Sequence, residues 1–202
     1  DRIAIEDFSD FIEVTDSVKR GYFLIDGEKV PCNYDLYMID SISAMQEMLK
    51  VYIANVYAPK RSREIVGKFG AKSDWGDLQD LITRCTKQWH QFTKRGENSI
   101  HVMWIAHMLE VKDETTDQTV TTKIQLQGKA TADIVMSHVD GNFLMFKRDN
   151  KETKQTERGI LTEKMGFYEA GYRAAKDSEP LPKQILNPVW SDIFEKLGYV
   201  RK

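Results

Sequence analysis

The sequence predicts an α/β fold: a mostly parallel sheet flanked by helices. Three observations predict it. Two short, nearly continuous apolar stretches, "DLYMID" and "SIHVMWIAH", each end on a polar residue, Asp40 and His107. Helical periodicity fills the chain between them. A further apolar stretch, "NFLMFKR", follows another short helical segment. Strands that alternate with helices favour a parallel sheet covered on both faces, with ligands at the carboxyl ends of its strands. A chain of 202 residues is expected to form a single domain, 1–202, with 180–202 as a proline-rich segment and short helix.

In chain order, "RIAIEDF" alternates like a strand. "GYFLIDGEKVP" places Asp26-Gly27 between two extended runs, a hairpin signal. "DLYMID" is the first core strand. Ile42, Met45, Leu49, Tyr52, Ile53 and Val56 recur at three- and four-residue spacing and predict a helix that stops near Pro59. "APKRSREIVGKFGAKS" reads as a loop. A second helix is predicted from Trp75, Leu78, Leu81, Ile82, Cys85, Trp89 and Phe92, with Ser73 as N-cap and Gly96 as stop. "SIHVMWIAH" is the second core strand. The threonine-rich "LEVKDETTDQTVTTKIQLQ" reads as an exposed ribbon or loop, and "GKATADIVMSHV" as a short helix. "NFLMFKR" is a third strand, "DNKETKQTERG" a polar tip and "RGILTEK" a returning strand. The tail carries three prolines and a short amphipathic helix with Trp190, Ile193, Phe194 and Leu197.

Composition narrows the function classes. A net charge of −2 gives no overall attraction to polyanions, so any such site must be a local patch. Cys32 and Cys85 read as free thiols of a reducing compartment. No apolar run approaches the ~18 residues of a membrane span and no signal peptide appears, so a soluble, cytoplasmic protein is expected.

The candidate chemistry starts at Asp40. A carboxylate at the end of a buried strand can hold magnesium through water, with Ser41 beside it. The alternative is that Asp40 and Ser41 only cap the next helix. The glycine-rich phosphate loop G-x-x-x-x-G-K-[ST] is not found. In "GKFGAKS" Gly67, Gly70, Lys72 and Ser73 are present, but Ala71 replaces a required glycine. In "QGKAT" Ala130 replaces the hydroxyl after Gly128 and Lys129, and Lys123 stands where the first glycine belongs. The segment at 58–72 sets Lys60, Arg61, Arg63, Lys68 and Lys72 against only Glu64, with Phe69 among them. Cations around an aromatic suit a single-stranded backbone, and equally suit a solvated loop. His107 ends the second core strand and can donate to a phosphate. The histidines and cysteines lack metal-ligand spacing. Asp26, Glu28 and Lys29 offer a weak resemblance to a metal-dependent nuclease core.

Taken in order, "YDLYMIDSIS", "SDWGDLQDL", "HVMWIAHMLEVKDE", "LQGKATADI" and "AAKDSEPLPKQI" resemble the phage-encoded nucleotide-binding proteins. These are RecA-like P-loop NTPases associated with single-strand annealing and recombination. The resemblance spans about residues 30 to 190. It implies a RecA-like core that binds ATP and Mg2+ and assembles as a homo-oligomer. It implies single-stranded DNA as partner, with a phage annealing or single-strand binding protein. Asp40 is implied as the Walker B carboxylate, Ser41 as its hydroxyl neighbour and His107 as a sensor of nucleotide state. Residues 58–73 and 108–125 take the places of two DNA-binding loops, and Lys129 that of a cation reaching a neighbouring subunit's nucleotide. The family's arginine after "KD" is Ser178 here. Its first strand and phosphate loop are expected upstream of Asp1, this chain being the C-terminal portion of a longer protein. Two other classes stay open: a non-enzymatic DNA-binding or scaffold protein on the same fold, and the metal-dependent nuclease.

Overall fold

The computed structural model describes residues 2–57, 69–70, 72–93, 100–128, 130–176 and 178–198. The chain divides into two compact units. Unit 1 comprises Asp1–His107 and Ile124–His138; unit 2 comprises Met108–Lys123 and Val139–Lys202.

Unit 1 opens with helix α1, Phe8–Arg20. The expected first strand is therefore a correction: residues 2–6 carry no regular structure, and a helix follows. Asp7 starts it, its carboxylate accepting from the amides of Ser9 at 2.6 Å and Asp10 at 3.1 Å. Asp10 reciprocates to the amide of Asp7, closing a capping box. Phe8, Phe11, Thr15 and Val18 form the buried stripe, and Gly21 ends the helix at φ 85°. Strands β1 (Tyr22–Ile25) and β2 (Glu28–Pro31) make the expected hairpin. Asp26 and Gly27 turn it at φ 52° and 82°, the left-handed pair that matches strand twist.

Strand β3, Leu36–Asp40, pairs in parallel with β4, His101–Ile105, with Asp40 opposite Ile105. Between them run helix α2 (Ile42–Tyr52), a π-helical turn (Ile53–Tyr57) and helix α3 (Lys72–Phe92). Helix α3 begins one residue before Ser73, which lies within its first turn. Gly96, its expected stop, lies outside the described residues. Helix α4, Thr131–Ser137, completes the unit.

The core of unit 1 is built around Trp89, 1% exposed. Its ring meets Phe11, Tyr37, Phe92 and Trp104, with centroids 5.4–6.3 Å apart. Its indole N–H donates to Thr15 Oγ1 at 3.1 Å, so the buried polar atom is paired. Tyr37 and Ile39 of β3 pack on this core, whereas Met38 is 52% exposed. Strand β3 is thus covered on one face, where its apolar run predicts cover on both.

Unit 2 contains the two-stranded ribbon β5 (Met108–Lys112) and β6 (Thr119–Ile124), as the threonine-rich pattern predicts. Ile124, the last residue of β6, is already assigned to unit 1. Asp113 organises the turn, accepting from the amides of Thr115 and Thr116, and these bonds hold its carboxyl below its ordinary value. Thr122 fastens the ribbon: its amide donates to the Phe167 carbonyl at 2.9 Å, and its hydroxyl accepts from the Glu169 amide at 3.0 Å. Strands β7 (Gly141–Asn142) and β10 (Gly171–Tyr172) pair antiparallel. Strands β8 (Leu144–Asp149), β9 (Thr156–Leu161) and β11 (Gln184–Leu186) form an antiparallel sheet in the order β11-β9-β8. Helix α5, Trp190–Lys196, adds Ile193, which packs with Ile160, Leu181 and Leu197.

The architecture is therefore mixed α/β. "NFLMFKR" forms a strand as expected, but it belongs to an antiparallel sheet of unit 2. Among the described residues, only β3 and β4 are parallel. The sequence shows which segments are extended; the pairing partner is chosen by contacts far along the chain.

Candidate functional site

The end of β3 is where the sequence places the chemistry, and the structure builds a polar cluster there. Asp40 is the last residue of the strand and is exposed. Its carboxylate has no hydrogen-bond or ion-pair partner among the described residues. The Asp40–Ser41 peptide is cis. Ser41 is 6% exposed, and its hydroxyl accepts from the Ala44 amide at 3.1 Å. Ser41, not Asp40, caps α2, which leaves the strand-end carboxylate open to solvent.

His107 lies two residues past the end of β4, not at its last position. Its amide donates to Ser43 Oγ at 3.2 Å, and its carbonyl accepts from the Gln125 amide at 2.7 Å. Ser43 Oγ in turn donates to the Gln125 carbonyl at 3.0 Å. One hydroxyl in the first turn of α2 thus ties together the two places where the chain leaves unit 1 and returns to it. Gln46, one turn further and 2% exposed, holds the same segment. Its amide nitrogen donates to the Gln127 carbonyl at 3.0 Å, and its oxygen accepts from the Gln127 amide at 2.7 Å. The clamp leads into Gly128, φ 104°, where an added Cβ would run into Thr131 Oγ1. Sequence reading missed Ser43 and Gln46. The available signal was a glutamine on the apolar face of α2, beside Met45 and Leu49.

Asp40, Ser41 and His107 therefore share the carboxyl end of the parallel pair. Lys72 opens α3 and is exposed, with no contact to that cluster among the described residues. Lys60, Arg61, Arg63, Lys68 and Lys129 lie outside the described residues. Asp26 and Glu28 are exposed at the hairpin turn, and Lys29 Nζ stands 4.7 Å from the centre of the Tyr22 ring. Among the described residues no three His, Cys, Asp or Glu side chains group to hold a metal ion. The open Asp40 carboxylate fits a magnesium ion that keeps its waters and takes one or two carboxylates; it does not fit a caged metal. No helix of the described residues is long and apolar enough to cross a membrane.

A parallel β3·β4 pair with a helical crossover places the acidic strand end where open α/β sheets bind their ligands. The family model described as AAA domain matches residues 1–174, and the chain belongs to this family. Its class of activity is nucleotide binding of the ATPase type. Neither a curated protein nor a solved structure matches the chain.

Proposed function

We propose that the intact protein, with a phosphate loop supplied outside residues 1–202, binds and hydrolyses ATP with Mg2+ and uses the nucleotide to control binding of single-stranded DNA, in phage recombination or annealing. The observation that carries this reading is the unpartnered Asp40 carboxylate at the carboxyl end of a parallel strand, in a chain of the AAA-domain family. In that role Asp40 accepts hydrogen bonds from the waters of magnesium, and the ion supplies charge compensation at the phosphates. Ser41 fixes the start of α2, so that the carboxylate keeps its direction. His107 has its backbone held by Ser43 and Gln125 and offers an exposed imidazole at the same strand end.

The coupling to DNA is supported by how the chain is tied. The ribbon β5-β6 leaves unit 1 at His107 and returns at Ile124, and Ser43, three residues after Asp40, binds beside both crossings. Lys60, Arg61, Arg63, Lys68 and Lys72 supply a local cationic segment for the phosphate backbone, and Lys129 is proposed to act across a subunit boundary of a homo-oligomer. A phage annealing or single-strand binding protein is the proposed partner. Asp40→Ala in the intact protein is expected to abolish magnesium-dependent ATP hydrolysis with an unchanged circular dichroism spectrum. Unchanged turnover would overturn the assignment.

A further inference from the structure

Away from Asp40, unit 1 carries a groove of about 320 Å³ lined by Lys19, Arg84, Lys87, Gln88, Gln91 and Phe92. Lys19 comes from the last turn of α1. Arg84, Lys87, Gln88 and Gln91 recur at three- and four-residue spacing, so they form one stripe along α3. Eight residues of helix, Arg84 to Gln91, carry that stripe over about 10 Å. Phe92 is 2% exposed and forms the floor, not an apolar anchor.

Among the described residues the lining has three cations, two carboxamides and no carboxylate. Arg84 is paired with Asp80 at 2.7 Å, and both are exposed. Lys19 and Lys87 are exposed and have no carboxylate partner among the described residues. In a chain of net charge −2 this is a local concentration of positive charge. It also lies at the opposite end of the strands from Asp40. The Ile100 amide donates to the Phe92 carbonyl, and the His101 amide to the Asp35 carbonyl, which puts the end of α3 beside the amino ends of β3 and β4. About 13 Å of strand separates the two ends.

We propose that this groove binds the phosphate backbone of a single-stranded nucleic acid, as a second contact surface separate from the nucleotide site. Lys19 and Lys87 act as point charges for phosphates, and Gln88 and Gln91 supply donors and acceptors to sugar or base edges. A stripe of about 10 Å spans about three stacked nucleotides. The choice of polymer rests on the single-strand binding proposed above.

The test is fluorescence anisotropy of a labelled oligothymidylate of about 12 nucleotides with the full chain, as a function of salt. Lys19→Gln/Lys87→Gln, both at exposed positions, is expected to weaken binding about tenfold and to flatten the log–log salt slope by about 1.4. Unchanged affinity and slope would overturn the groove. If Lys60→Gln/Arg61→Gln/Arg63→Gln abolishes binding while the groove variant matches wild type, the groove fails and single-strand binding stands. Absence of salt-dependent binding by the wild type would overturn both. Displacement of the oligonucleotide by inorganic phosphate, at an ionic strength where chloride displaces none, would make this a simple anion site and overturn the nucleic-acid assignment.

Discussion

Replacing Gln46 with leucine isolates the clamp between α2 and the segment that follows the ribbon. The two side chains have nearly the same volume, so the core around Met45 and Leu49 stays filled. What is lost is the reciprocal pair of hydrogen bonds with the Gln127 backbone, at 3.0 and 2.7 Å. Each such bond contributes about 1 kcal/mol net. Gln127 is exposed, so water takes over much of its freed polar surface and no large burial penalty is added. The expected loss is therefore about 2 kcal/mol. With a urea dependence of about 2 kcal/mol per molar, the midpoint falls by about 1 M. Emission of Trp89 and Trp104, both in the packed aromatic cluster of unit 1, follows the transition. A midpoint within about 0.2 M of wild type would show that the clamp contributes nothing to stability.

Two other perturbations test different parts of the molecule. Gly159 of β9 stands opposite Phe146 of β8, and an added Cβ would enter the Phe146 ring. Gly159→Val is expected to cost about 2 kcal/mol, about 6 °C in Tm, and Phe146→Leu should recover part of it; an unchanged Tm refutes the packing. Burial pushes the Cys85 thiol up to about 12 and, as the leading cause, raises that of Cys32 too. At pH 8 the folded chain should react with a disulfide reagent at Cys85 about a thousandfold more slowly than the urea-unfolded chain; equal rates contradict the burial. The folded state holds these protons more tightly than the unfolded state. Their stabilisation is therefore complete below about pH 9 and lost as pH rises towards 12, which urea titrations at two alkaline pH values measure.

Local chemistry made several elements readable in advance. The Asp26-Gly27 hairpin was legible because left-handed backbone at two successive positions selects those residues. The ends of β3 and β4 were legible from short apolar runs closed by polar residues. Helix α1 was not, although Phe8, Phe11, Thr15 and Val18 stand at helical spacing. The alternation of Ile3 and Ile5 suggested a strand, and its cap uses two aspartates where serine or threonine with glutamate is the usual signature. The antiparallel home of β8 depends on β9 and β11, and a strand's own residues do not name its partner. At the site, Asp40 and His107 were legible as strand-end polar groups. The clamp was not, because Gln46 finds its partner 81 residues away. Only its place on an apolar stripe hinted at a buried hydrogen bond.

The order in which the two units draw on the chain has a consequence of its own. The polypeptide crosses from one unit to the other after His107, after Lys123 and after His138. Neither unit can be excised as one contiguous stretch. A protease cut at the first junction leaves Ile124–His138, which carries α4, on the same fragment as unit 2. A cut at the last leaves the ribbon behind with unit 1 and severs it covalently from the Phe167 and Glu169 groups that fasten it. Any attempt to give one unit a separate existence therefore has to reconnect the chain, not merely shorten it.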